Sequence, residues 1–385
     1  MLIEKNIKFI KQVNPIISVI MIVYNQAHCL YACLRSIQNQ SFRNIEIIII
    51  DDCSEDNSTE IIREFKKEDP IIIFLEHDIN EGPIKTRTDG IRIAKGKFIT
   101  FLDGDDSFIH KDILKNSIYI AQKANLDIVE FKAGMYKEEK LIDILGNYSQ
   151  LDLSYIIYQP ELKTKFIIGK KNNNLYLENR AIWGRLISTE LLNKMLLDVG
   201  KEFTDDYIDF AEDTIMIFSL FHLANSYYLM KEIGYFYSFD DKRKESSKLK
   251  NKVCKSNNKI KDFSRFKFLK FLVGRVENNT KEQIYAYKEI TTFIDYDYYL
   301  ETFKMRKEHY EIMFYIFNKA LNFEFLSPYL KYKIIKLKNR VIKKQNKDSV
   351  YHNAEKRSKC EKRWLEKHGV KKEVVFSLIN MLWIL

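Results

Sequence analysis

The chain has 385 residues, 46% of them hydrophobic and 14% aromatic, with only 12 glycines and 5 prolines. That composition excludes a disordered or collagen-like polymer and favours long regular elements in about two or three domains. The net charge of +10 is uneven: residues 1–250 carry 33 Lys and Arg against 38 Asp and Glu, and residues 251–385 carry 30 against 15, so a basic module follows a mildly acidic body.

Ile16–Val23 is a continuous apolar, β-branched run, the pattern of a strand buried on both faces of a parallel sheet, and it ends at Tyr24-Asn25. Apolar residues at Leu30, Cys33, Leu34 and Ile37 give a helix over Cys29–Gln38. Ile45–Ile50 reads as a second buried strand, ending in Asp51-Asp52-Cys53-Ser54. Asn57 with Glu60 three residues later resembles a capping box that opens a second helix. A third strand, Ile71–Leu75, leads to His77 and Asn80-Glu81-Gly82-Pro83, and Lys85–Ala94 reads as helical.

The centre of the pattern is Phe98–Phe108. Its apolar run stops abruptly at Asp103, Asp105 and Asp106, with Gly104 among them. Crowded carboxylates repel one another, and a hard cation such as Mg²⁺ or Mn²⁺ makes such a cluster favourable. Strands alternate with helices throughout this region, so parallel strand ends bring all the polar clusters to one crevice.

Further on, a helix over Lys111–Asn125 and a strand over Asp127–Phe131 continue the α/β pattern, and residues 134–180 read as irregular. Ala181–Ser188, a helix near Thr189–Leu197 and a helix opening at Phe210-Ala211-Glu212-Asp213 follow. Tyr227–Met230 and Gly234–Phe239 read as two strands. Beyond Lys242 the composition turns Lys/Ser/Asn-rich, and from about Lys259 onward basic and apolar positions alternate at helical spacing. The expected division is therefore residues 1–245 and a mainly helical basic module, 246–385.

The crevice has the parts needed to hold a nucleoside diphosphate, but Walker A and GxGxxG segments are absent. The sequence resembles the family 2 glycosyltransferases of the GT-A fold on motifs that run in the family's order: Ile17–Asn25, Ile47–Ser54 with Asp56, Asn80-Glu81-Gly82 through Arg87, Leu102–Asp106 (LDGDD), and Trp183-Gly184-Arg185-Leu186 followed by Glu212-Asp213. The resemblance implies a Rossmann-like mixed sheet flanked by helices and an inverting sugar transfer from a nucleotide-sugar donor, a UDP-sugar, to a glycan or lipid-linked acceptor. It assigns Tyr24 to stacking near the base, Asp52 to the uracil edge, Asn80 and Arg87 to base and diphosphate, and Asp103 to the ribose or donor sugar. Asp105, with Asp106, would hold Mn²⁺ or Mg²⁺. Asp213 would be the general base with Glu212 beside it, and Trp183 a platform for the acceptor sugar.

The pattern departs locally. Thr88 and Asp89 follow Arg87 where the family usually has Asn, and Ser238-Phe239-Asp240 replaces an expected arginine, leaving Arg243 or Lys244 as candidates for phosphate contact. A sugar-phosphate nucleotidyltransferase would carry a Gly-rich basic loop after its first strand, which Tyr24–Leu30 is not. A non-catalytic nucleotide or polyanion binder on a degenerate GT-A fold would have no need of Asp52, Asp105 and Asp213 together.

Five scattered cysteines without a CxxC pair point to a reducing compartment, and Cys29 and Cys33 read as small core residues. The amino terminus lacks a signal-peptide pattern, and no apolar stretch reaches the roughly 18 residues of a spanning helix. The expectation is a cytoplasmic protein, peripheral on an anionic membrane surface through its basic module. No nucleic-acid-binding signature accompanies the charge, so no specific nucleic acid is expected as partner.

Overall fold

The computed structural model describes residues 14–137, 140–145, 155–159, 162, 169–171, 174–176, 181–205, 212–238 and 307–322, with scattered helical positions between 335 and 345. By its contacts the chain divides into two compact units, residues 1–288 and 289–385. The boundary expected at 245/246 lies outside the described residues.

Strands β1 (Ile17–Val23), β2 (Ile45–Asp51), β3 (Ile72–Glu76) and β4 (Phe98–Asp103) are mutually parallel, in the order β3-β2-β1-β4. Every residue of β2 is buried, as a both-faces-covered parallel strand requires. The covers are α1 (Ala27–Gln38), α2 (Ser58–Glu68) and α3 (Pro83–Ile93). Gly90 lets α3 sit close to the sheet, since a Cβ there would lie 2.6 Å from Ile20 Cγ2 and 2.9 Å from Ile50 Cδ1.

The order reverses beside β1: β2 and β3 extend to one side and β4 lies on the other. A crevice opens at such a switch point, outside the carboxyl ends of the strands. The register fixes what meets there. Ile22 pairs with both Ile50 and Asp103, and Val23 with Asp51, so the polar residues after β1, β2 and β4 emerge side by side.

The second half of the sheet is mixed. The acidic turn after β4 runs through β5 (Ser107–Phe108) into α4 (Ile113–Ala124), β6 (Ile128–Lys137) and β7 (Lys140–Leu145). After β8 (Ile157–Tyr158) and a separate small sheet of β9 (Gly169–Lys171) and β10 (Asn174–Tyr176), β11 (Arg185–Ser188) inserts antiparallel between β4 and β6. Helices α5 (Thr189–Val199), α6 (Lys201–Thr204) and α7 (Glu212–Leu223) lead to β12 (Ser226–Ser238), which runs parallel to β6 and antiparallel to β5 and β8. This is a GT-A arrangement, as expected from the sequence.

Three local expectations are corrected. No capping box forms at α2: Asn57 is the N-cap residue without a side-chain bond, and Asp56 Oδ1 instead accepts from Ser58 N and Oγ at 3.0 and 2.5 Å. Residues 134–180 are not wholly irregular, because β6 continues to Lys137 and pairs with β7. The two expected late strands are one, β12, whose ladder with β6 shifts register around Ile233.

In the second unit the described helix is α8 (Lys307–Leu321), with Met313, Ile316 and Phe317 buried at helical spacing. No described helix is long and apolar enough to cross a membrane.

Candidate active site

The acidic turn grows directly from β4. Asp106 N donates to Asp103 O at 3.0 Å and closes it. Beneath it lies α1, whose Cys33 and Cys29 thiols contact Asp103 O and Gly104 O at 3.5 and 3.7 Å. A side chain at Gly104 would collide with Gln26. Burial, reinforced by Asp106, pushes the Cys33 thiol well up, so the cysteine is a packing residue under the turn. The sequence had marked it as core without showing what it supports.

One carboxylate oxygen from each of Asp103, Asp105 and Asp106 lies within 4.8 Å of the others. These are hard oxygen donors of the kind that Mg²⁺ and Mn²⁺ take, so the residues fit such a cation. Their environments differ. Asp103 and Asp105 are half-buried, whereas Asp106 is 3% exposed and has both oxygens held, Oδ2 by Tyr235 Oη at 2.7 Å and Oδ1 by Ser238 N at 3.1 Å.

On the β2 side the crevice is built by loops that strap one another. Asn25 and Cys53 adopt left-handed backbone, φ 54° and 65°. Asn25 N donates to Ser54 Oγ, Gln26 N to Ser58 Oγ and Ala27 N to Asp56 Oδ2, which satisfies amides at the start of α1. Asp51 receives Ser54 N and Oγ, and burial nevertheless raises its carboxyl. Tyr24 is half-buried at the end of β1, beside these loops.

Asp52 faces the third motif. Its Oδ1 accepts from Glu81 N at 2.8 Å and lies 2.9 Å from His77 Nδ1, and its Oδ2 accepts from Gly82 N at 2.9 Å. Asn80 Nδ2 donates to the Asp52 carbonyl at 3.1 Å. Asp52 and Asn80 are thus brought together, with the Asp52 carboxylate fastening the Asn80–Gly82 turn. His77, given no role from the sequence, bridges Asp52 to Asp89, whose Oδ2 lies 3.3 Å from His77 Nε2.

Arg87 rises from α3 into the floor of the crevice and is 3% exposed. Its Nη2 lies 3.1 Å from Asp103 Oδ1 and its Nη1 2.9 Å from Asp213 Oδ1. Asp213, near the start of α7, also receives Ile182 N on Oδ2 at 3.3 Å. Burial raises its carboxyl above the usual range and Arg87 opposes that rise, with Asp103 adding to it. Glu212 is the first residue of α7.

Ile182 precedes Trp183, which is half-buried and stacks on Tyr235 with ring centres 4.5 Å apart and planes 12° apart. Gly184, at φ 72°, turns the chain into β11, where Arg185 is fully buried against Glu130 at 2.8 Å. The expected residues fall into two groups: Asp52 with Asn80 at the third-motif loop, and Arg87, Asp103, Asp213, Asp106 and Trp183 joined through Tyr235 and Ile182, with Asp105 beside them in the acidic turn. Tyr24 and Glu212 stand at the end of β1 and the start of α7.

Residues 18–163 match the family model described as Glycosyl transferase family 2. Over those residues the chain is similar to the family 2 glycosyltransferases. Glycosyltransferase GlyG of Streptococcus pneumoniae is 28% identical over 206 residues, covering 50% of this chain and 63% of its own. UDP-Glc:alpha-D-GlcNAc-diphosphoundecaprenol beta-1,3-glucosyltransferase WfaP of Escherichia coli is 35% identical over 134 residues, covering 35% of this chain and 51% of its own. The chain thus spans less than two thirds of the length of these relatives. Its fold is similar to that of S. aureus TarS residues 1–349, with a TM-score of 0.53 at 15% identity, covering 88% of this chain and 92% of that one.

Proposed function

We propose that the chain transfers a sugar, with inversion, from a UDP-sugar to a glycan or lipid-linked acceptor, with Asp213 as general base. The observation that carries this reading is the Arg87 bridge, which joins a carboxylate of the acidic turn to Asp213 at 3.1 and 2.9 Å in one crevice. The relative WfaP, by its name, uses UDP-Glc and an undecaprenol-linked acceptor, which supports the choice of donor and acceptor class.

In this mechanism Asp213 accepts the proton of an acceptor hydroxyl through Oδ2, its Oδ1 being paired with Arg87. The hydroxyl oxygen forms a bond to the anomeric carbon as the bond from that carbon to the diphosphate breaks, and the electron pair departs with the nucleoside diphosphate. Displacement from the opposite face inverts the centre in one step. The acidic turn of Asp103, Asp105 and Asp106 would seat Mn²⁺ or Mg²⁺, which would supply positive charge against the diphosphate. Burial raises the Asp213 carboxyl, and Arg87 opposes that rise and so favours the ionised form that can accept a proton. Tyr24 and Asn80 would border the nucleoside, and the part of Trp183 left exposed beside Tyr235 and Tyr237 would meet the acceptor sugar.

Asp52 makes three contacts with donors inside the protein and retains one lone-pair direction on Oδ2 for a base N–H. The excess of basic residues in 251–385 supports a place on the cytoplasmic face of an anionic membrane. Salt-sensitive binding of the full chain to anionic vesicles is the expected result there, and salt-insensitive binding or none removes that placement.

The decisive experiment pairs transfer with binding. The full chain with UDP-sugars and a lipid-linked glycan should release UDP and extend the acceptor. Asp213→Asn should slow transfer by about 10²–10⁴-fold while UDP still binds. Transfer at the wild-type rate in that variant removes Asp213 from the chemistry. UDP binding by the wild type without transfer to any acceptor, or hydrolysis, assigns the protein to the non-catalytic binders.

A further inference from the structure

Tyr235 holds the centre of the site without having been assigned any part in it. It is fully buried in β12, and its hydroxyl works in both directions. It donates to Asp106 Oδ2 at 2.7 Å and accepts from Asp103 N at 3.3 Å. Three residues on, Ser238 N takes the other Asp106 oxygen at 3.1 Å, so β12 grips both oxygens of one carboxylate. The same strand is paired to the chain leaving the turn, with Tyr235 opposite Phe108. Gly234 O accepts from Ile109 N at 2.9 Å. The Tyr235 ring, meanwhile, lies flat against Trp183.

A buried carboxylate with both oxygens taken by one strand is occupied in holding that strand. Asp105, between Asp103 and Asp106, is left on the half-buried side of the turn. We propose that Tyr235 is a positioning residue that locks the acidic turn through Asp106 and the Asp103 amide and joins it to the Trp183 platform, so that Asp106 shapes the turn while Asp105 and Asp103 hold the divalent cation. This rests on the transferase reading, since it concerns the cation and acceptor sides of that same site. It also ties the two sides together: a ring that moves with the acceptor platform carries the hydroxyl that sets the turn.

Tyr235→Phe keeps the ring stacked and removes only the hydroxyl, leaving a buried carboxylate oxygen and a backbone amide without that partner. The test is Mn²⁺ binding to the full chain, read by the loss of the free-ion EPR signal, for wild type, Asp105→Asn, Asp106→Asn, Tyr235→Phe and the Tyr235→Phe/Asp106→Asn pair. Asp105→Asn should abolish binding. Tyr235→Phe and Asp106→Asn should each weaken it about tenfold, and the pair no further, because both act through one contact. Acceptor KM should stay near the wild-type value in Tyr235→Phe while the metal concentration for half-maximal rate rises, a split that general loss of folding does not produce.

Mn²⁺ binding unchanged in Tyr235→Phe overturns the proposal and leaves the transferase reading intact. So does loss of binding in Asp106→Asn as complete as in Asp105→Asn, which makes Asp106 a ligand. If Tyr235→Phe does not fold, the comparison of Asp106→Asn with Asp105→Asn decides alone. Failure of the wild type to bind Mn²⁺ overturns both this proposal and the metal-assisted transfer it rests on.

Discussion

Arg87 Nη1 lies 2.9 Å from Asp213 Oδ1, and the same guanidinium meets Asp103 at 3.1 Å through its other nitrogen. One buried cation therefore stands between the residue assigned to the donor sugar and the residue assigned to the acceptor proton. Its first effect is on charge. Burial raises the Asp213 carboxyl, Asp103 raises it further, and Arg87 opposes both.

Arg87→Met should accordingly move the acid limb of the pH–rate profile to higher pH, because Asp213 must be ionised to accept a proton. Stability follows the same sign. A carboxyl raised by folding contributes stability that is present below its unfolded pKa and is lost as pH rises through its folded value. Without Arg87 that loss deepens, so the variant should fall furthest behind wild type near neutral pH, by about 3–5 kcal/mol, and approach it in acid. An unshifted acid limb together with a pH-independent stability difference would detach Arg87 from Asp213 ionisation.

Trp183→Ala should raise acceptor KM about tenfold, as expected when an aromatic platform against a sugar face is lost, with UDP affinity unchanged. Trp183→Phe, which preserves a ring over Tyr235, should recover part of it. Equal loss of UDP affinity would place the indole on the donor side instead.

Cys53 holds φ 65°, a conformation that costs a side-chain-bearing residue about 1–2 kcal/mol. Glycine relieves that strain and adds about 0.5–1 kcal/mol of unfolded-state entropy, so Cys53→Gly should leave stability equal or slightly higher. Cys53→Val should lower it clearly. Thermal unfolding of the two variants separates a strained turn from a relaxed one, since a relaxed turn would make glycine the worse of the two.

How much of this was legible follows from how local each signal is. The buried strands announced themselves through unbroken β-branched runs, and the parallel topology then required their polar ends to converge, as the pairing of Ile22 with Ile50 and Asp103 shows. The β6–β7 hairpin did not, because Leu141, Ile142 and Ile144 of β7 are all exposed and show no alternation. β12 looked like two strands because exposed Lys231 and Glu232 interrupt its apolar run at the register shift. The contacts of Arg87 with Asp213, of Tyr235 with Asp106 and of His77 with Asp52 join residues far apart in sequence, where no spacing rule operates. An aromatic strand that closes over an acidic turn is the signal that could have pointed to Tyr235.

His77 bridges Asp52 and Asp89 at 2.9 and 3.3 Å, and Asp89 is also paired with Lys85 and Arg92. His77→Gln can reach only one of those carboxylates. The Asp52 carboxylate then loses a partner that fixes its rotamer, and UDP affinity measured by calorimetry should fall about tenfold with little change in metal dependence. Unaltered affinity would mean that the Glu81 and Gly82 amides suffice to hold Asp52.

Arg185 and Glu130 form a fully buried pair, 2.8 Å apart, at facing positions of β11 and β6, and Tyr227 Oη donates to the same Glu130 oxygen at 3.1 Å. A buried ion pair adds little when compared with apolar residues of the same shape, yet breaking one half leaves an uncompensated charge. Arg185→Met should therefore destabilise the domain by about 3–5 kcal/mol, roughly 6–20 °C in Tm for a unit of this size. Removing the orphaned partners as well, in Arg185→Met/Glu130→Leu/Tyr227→Phe, should restore most of that loss. Because Arg185 begins the strand that Gly184 turns into, and Trp183 precedes both, the triple variant also separates fold from site. Recovered Tm with a persistently high acceptor KM would mean that the pair fixes the angle of the platform, whereas recovery of both would make it a purely structural clasp.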